Sequence, residues 1–169
     1  MPLKTVIEDS HAAITTDPAN AAATFATSGR LVGLTEVSLT ARGHEITVDE
    51  PAMLAGSDRG ANPVEHALIG LASCQAITYQ FWAAKLGIEL HDVAVHAEGD
   101  LDVRGFFGFD DAVRPGLSAV RVRVELSGPE TPERYEQLAD AVDAHYPVHD
   151  IFSNPTPIER TIATAVTAA

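Results

Sequence analysis

From Asn62 to Gly87 the sequence reads NPVEHALIGLASCQAITYQFWAAKLG. It opens with start signals for a helix. Asn62 is a good N-cap, Pro63 suits the first helical position, and Glu65 stands where it can complete a capping box with Asn62. Gly87 is a natural stop. Between these ends lie Val64, Leu68, Ile69, Leu71, Ala72, Ala76, Ile77, Phe81, Trp82 and Leu86, and no single polar face survives. A helix that is apolar all round has to be covered on several sides. A chain of 169 residues has difficulty supplying all of that cover, which makes a partner subunit a natural source of the rest.

The flanking segments have their own periodicities. AATFAT, LVGLTEVSLT and HEITVD are rich in Thr, Val, Ile and Phe, and Ser28-Gly29 and Arg42-Gly43 punctuate them. The simplest reading is a three-stranded β-meander. After the helix, ELHDVAVHAEGDLDV and LSAVRVRVELSG alternate as two long strands joined by the loop RGFFGFDDAVRPG. TPERYEQLADAVDAH reads as an amphipathic helix with Thr131 as cap, closed by Pro147, and IERTIATAV as a last short strand. Ahead of all this, VIEDSHAAI suits a short helix that Asp17-Pro18 stops. The order of strands, long helix, strands and helix gives an α+β class. The expected organisation is an N-terminal extension over residues 1–20 and a single domain over 21–169.

Composition narrows the function. Eleven Lys and Arg against 24 Asp and Glu give a net charge of −13. Such a surface repels phosphate backbones and anionic lipid, so neither nucleic acid nor membrane is an expected partner. No apolar run is long enough to span a bilayer and the N-terminus lacks a secretory pattern, so a cytoplasmic location is the default. A single cysteine cannot form an internal disulfide.

Few motifs carry chemistry. His145 and His149 are four apart, but Pro147 separates them and no third ligand has suitable spacing, so no metal site is expected. Neither phosphate-binding glycine motif occurs, and no cofactor is called for. No serine elbow is present. Cys74 remains. A lone cysteine is commonly a small packing residue. To act as a reagent it has to ionise, and a free thiol does so near pH 8.5. Cys74 is the twelfth residue of its helix, too far in for the helix dipole to be the main activator. A reactive Cys74 therefore needs a cation, an arginine from elsewhere in the chain or from a partner.

These residues resemble a known family. GSDRGANPVEHALIGLASC, with a cysteine eleven residues after the proline of Asn-Pro, is similar to the core signature of OsmC/Ohr proteins. The likeness continues through GIELHDVAVHAEGDLDVRGFFG and RPGLSAVRVRVEL into DAHYPVHDIFSNPTPIE, and so runs over roughly residues 21–166. It implies an OsmC-like α+β fold, with the meander, the central helix and the C-terminal strands and helix built into an intertwined homodimer. It also implies thiol-dependent peroxidase chemistry on organic hydroperoxides.

Carried over residue by residue, Cys74 matches the peroxidatic position. Arg30, in TSGR after a strand, resembles the arginine that supports the thiolate, and Arg59 is the second choice. Glu65 either holds that arginine or is only the capping-box residue. The place of the resolving cysteine is taken by Tyr146, which cannot form a disulfide. The resemblance therefore implies a one-cysteine cycle with an external thiol reductant, and Phe81, Trp82 or RGFFGF as an apolar entrance. The alternative is a non-peroxidase dimer that binds an apolar small molecule in its inter-subunit pocket, with Cys74 as packing.

Overall fold

The computed structural model describes residues 1–165. Its elements, in chain order, are helix α1 (Leu3–Thr16), strands β1 (Thr27–Leu31), β2 (Val37–Ala41) and β3 (His44–Val48), helix α2 (Pro63–Leu86), strand β4 (Asp92–Asp100), short helix α3 (Val103–Phe107), strand β5 (Ala119–Ser127) and helices α4 (Pro132–Asp143) and α5 (Pro147–Ser153). The class is α+β, with a three-stranded antiparallel meander β1-β2-β3 and a separate antiparallel pair β4-β5.

Local chemistry fixes α2. The Asn62 side chain accepts the Glu65 N–H at 2.9 Å, and the Glu65 carboxylate accepts the Asn62 N–H at 2.7 Å. This reciprocal pair satisfies two of the four N–H groups that a helix start leaves open. At the other end Gly87 adopts φ +64° and its N–H returns to the Ala83 carbonyl, a left-handed cap that glycine reaches without steric cost.

The β4-β5 ladder runs from Asp92 opposite Ser127 to Asp100 opposite Ala119. Alternation sends Val120, Val122, Val124 and Leu126 inward and Arg121, Arg123 and Glu125 outward. The inward face meets α2. Around them Leu71, Tyr79, Ala83, Ile88, Leu138, Val142 and Tyr146 form the buried core, with Leu138 and Val142 fully enclosed. Helix α2 packs against β4, α4, α5 and α1. Its other side is bare, with Ile69 and Ile77 more than half exposed. Every residue of β1 is exposed, and the meander strands pack chiefly on one another.

Several boundaries differ from the sequence reading. The first strand is Thr27–Leu31 rather than AATFAT, because Gly33–Glu36 form the tight connection to β2, with Val32 N–H bonded to the Glu36 carbonyl at 2.8 Å. Arg30 accordingly lies inside β1, opposite Ser38, not after a strand. The loop RGFFGFDDAVRPG begins inside α3, which is capped by Asp102 and ended by Gly108 at φ +66°. Pro147 does more than end a helix, because it occupies the first turn of α5, where its missing N–H costs nothing. No strand forms among the described residues of IERTIATAV, 158–165, since β4 and β5 pair only with each other. Val166 lies outside the described residues.

Two substitutions test this account by urea denaturation. Asn62→Ala removes the cap and should cost about 1 kcal/mol. Leu138→Ala, at a fully enclosed position, should cost roughly 2–5 kcal/mol.

Candidate functional site at the Cys74 face of the central helix

Residues Leu71, Gln75 and Tyr79 recur every four positions and form the buried stripe of α2, continued by Ala83. Cys74 sits beside this stripe. Its thiol is free and half-buried, packed against the core cluster that contains Tyr146. Tyr146 occupies the N-cap of α5 and is 5% exposed. Its ring stacks on His149 at 4.8 Å between centroids. Burial pushes the Tyr146 phenol up, and the charges of Asp143 and Cys74 push it further. With its phenol raised, Tyr146 stays a neutral O–H group. Tyr79 behaves likewise: burial, then Asp143 and Tyr146, raise it to about 12.

The cations expected for Cys74 are elsewhere in the chain. Arg30 is on exposed β1, whose main packing is with β2. Arg59 lies 3.9 Å from Glu36 in an exposed ion pair on the meander side. Glu65 is engaged in the capping box. Phe81 is exposed. Trp82 is partly buried between other groups, its ring 4.3 Å from the His145 ring and 4.0 Å from the Lys85 ammonium. At an exposed corner Phe107 stacks on Phe109 and meets Phe106 edge to face. His145 bonds through Nδ1 to the Ala141 carbonyl at 2.8 Å, while Nε2 of His149 meets the Ser153 hydroxyl at 3.2 Å.

A residue passed over in the sequence organises the approach to α2. Asp49 is almost fully buried. Its carboxylate accepts the Thr35 hydroxyl at 2.6 Å and the N–H groups of Glu50, Ser57 and Arg59 at 2.9, 2.9 and 3.3 Å. Four donors on one carboxylate fasten the 50–59 loop to the meander. Gly56 and Gly60 allow the close approach, since a Cβ at either would overlap the carbonyl oxygen of Glu50 or Thr47. An aspartate directly before Glu-Pro, followed by Gly, Ser and Asp, was the available signal for such a turn.

The OsmC-like protein family model matches residues 56–161, which include Cys74, the buried stripe of α2, both long strands and Tyr146. The chain belongs to the OsmC-like family. Its fold resembles an OsmC-like protein from Mycoplasma pneumoniae, with 19% identity, a TM-score of 0.67, and coverage of 78% of this chain and 88% of that one. It also resembles an organic hydroperoxide resistance protein OsmC from Legionella pneumophila, with 18% identity, a TM-score of 0.60, and coverage of 77% and 89%. A third likeness is to an organic hydroperoxide resistance protein from Elizabethkingia anophelis, with 17% identity, a TM-score of 0.55, and coverage of 73% and 83%. No curated protein sequence matches the chain. At these identities the likeness to solved structures is one of fold. Among the described residues no helix is long and apolar enough to cross a membrane.

In this OsmC-like chain the Asp49 network carries a pH signature. The Thr35 hydroxyl, aided by the loop N–H groups, holds the Asp49 carboxyl below its ordinary value. The stabilisation is therefore complete above the unfolded value, about 4, and is lost as pH falls through the lower folded value. Protection of the Ser57 and Arg59 amides, taken relative to the intrinsic exchange rate at the same pH, should be high at pH 6 and fall below about pH 4, and Asp49→Asn should lower it at both. Protection that is indifferent to both changes would show that other contacts hold the loop.

Proposed function

We propose that this protein is a thiol-dependent peroxidase that reduces organic hydroperoxides through Cys74 in a one-cysteine cycle. The observation that supports this most is the placing of the chain's sole thiol. It stands half-buried on α2 against the core cluster that contains Tyr146, within the family-matched segment.

The Cys74 thiolate attacks the distal peroxide oxygen. An S–O bond forms as the O–O bond breaks, the alkoxide takes a proton and leaves as an alcohol, and Cys74 becomes a sulfenic acid. Because Tyr146 occupies the resolving position, the next nucleophile comes from outside. An external thiol attacks the sulfenic sulfur, expelling water and forming a mixed disulfide. A second thiol releases the Cys74 thiol and leaves as the oxidised disulfide. The neutral Tyr146 phenol beside the sulfur is suited to donate to the departing oxygen.

The activating cation in this reading is Arg30 from a second copy of the chain. The meander, with Leu31 and Ile46 exposed, and the bare side of α2, with Ile69, Ile77 and Phe81, offer two apolar surfaces without cover. An intertwined homodimer would cover both and would carry a meander cation to the other chain's helix, which the single chain does not do.

A second reading has one observation in its favour. Tyr146 walls a cavity with hydroxyl and apolar groups, which suits a small-molecule binder that has lost the redox cycle.

Sulfenic acid trapping after peroxide should label Cys74, and Cys74→Ser should abolish peroxide consumption. Consumption unchanged in that variant would end the peroxidase reading. Arg30→Ala should slow alkylation of Cys74 at pH 7 by about tenfold, the thiolate loss of a one-unit shift. Co-refolding Cys74→Ser with Arg30→Ala should restore about a quarter of wild-type activity, because half of randomly formed dimers then hold one complete site. No restoration would place the activating cation within the same chain.

A further inference from the structure

A cavity of about 880 Å³ runs along the buried stripe of α2, between that helix, β5 and α5. Its size is that of a small-molecule site. Cys74 is not in its wall. The long sides are apolar, formed by Leu71, Val120, Val122 and Val124, with Leu101 and Leu117 beyond. Polar groups stand in two places: Gln75 and Tyr79 from α2 with Asp143, Tyr146 and His149 from α4 and α5, and Arg114 and Ser118 in the loop before β5.

Gln75 is the odd member of this wall. It is 4% exposed, and its Oε1 is enclosed with no hydrogen-bond partner. A buried polar atom left unpaired carries a desolvation penalty that nothing in the chain offsets. Leucine would fill the same space without it. Asp49, the other buried polar side chain among the described residues, accepts four hydrogen bonds; the second enclosed atom without a partner, Nε2 of His66, is outside the cavity wall.

We propose that this cavity binds a neutral molecule with a hydroxyl head and an apolar body, its hydroxyl pairing with the Gln75 carboxamide. A hydroxyl both donates and accepts, so it satisfies whichever end of the carboxamide turns towards it. The flanking phenols of Tyr79 and Tyr146 remain protonated and add donors. Asp143 in the same wall disfavours an anionic head. The valine and leucine walls take the body by excluding water. The inference goes beyond the peroxidase reading and needs no thiol chemistry.

Three eight-carbon probes test it by ligand-observed NMR titration: 1-octanol, its isomer 1-methoxyheptane, which cannot donate, and octanoate. The wild-type protein should bind 1-octanol about tenfold more tightly than the ether, the order of one hydrogen bond to a buried group. Gln75→Leu should bind the two equally and melt at a higher temperature, which shows that it is folded. Val122→Trp should fill the space and abolish binding of both. Equal affinity of wild type for octanol and the ether overturns the proposal. So does tighter binding of octanoate than of octanol, which would move the head to Arg114 at the other end. No binding of any probe overturns it as well. Titration in the Cys74→Ser background reads the cavity alone, so failure of alcohol binding and failure of peroxide reduction are separable.

Discussion

The rest of the structure depends on burying α2. This 24-residue helix has apolar side chains around its whole circumference, and each has to leave water for the fold to be stable. The chain covers one side, with the inward valines of β4-β5, the Leu138–Val142 ridge of α4, and α5. It leaves Ile69, Ile77 and Phe81 on the other side in solvent. The meander is the reverse case, a sheet with exposed apolar residues and little of its own chain to rest on. Two uncovered surfaces of this kind are what a pair of intertwined chains would bury. The proposed arrangement of thiol and arginine depends on the same fact, because the single chain keeps Arg30 on the sheet and Cys74 on the helix.

The two buried polar side chains show opposite uses of the same physics. Asp49 is surrounded by donors, and its charge is repaid by hydrogen bonds that tie the loop before α2 to the sheet. Gln75 is given no partner for its enclosed carbonyl and lies in the wall of the cavity. The first arrangement builds structure, and the second is the basis for assigning the cavity a ligand. Tyr146 joins the two halves of the site. It belongs to the core cluster that Cys74 packs against, and it also walls the cavity.

Much of this was legible in local signals. The capping box at Asn62–Glu65, the stop at Gly87, the meander and the alternation of β5 all depend on neighbours in sequence, and they formed as read. The start of β1 was misread because threonines and a phenylalanine in AATFAT favour a strand, yet β2 offers pairing only to Thr27–Leu31. The last segment failed for the same reason, since strand propensity without a partner strand makes no ladder. Helix α5 was hidden by Pro147, which can open a helix as well as close one. Asp49 and Gln75 were single polar letters beside apolar runs, and nothing local marks one as satisfied and the other as bare.

The sequence by itself determined the ends of α2, the alternation of β5, the family and the identity of the one thiol, because caps, periodicity and a motif of fixed spacing are short-range properties. Only the tertiary structure decided that Glu65 closes a cap, that Arg30 lies within β1 and Arg59 pairs with Glu36, and that Gln75 lines a cavity. Those are matters of which surfaces meet. They follow from how α2 shares its circumference among β4, α4, α5 and solvent, and a linear pattern does not encode that division.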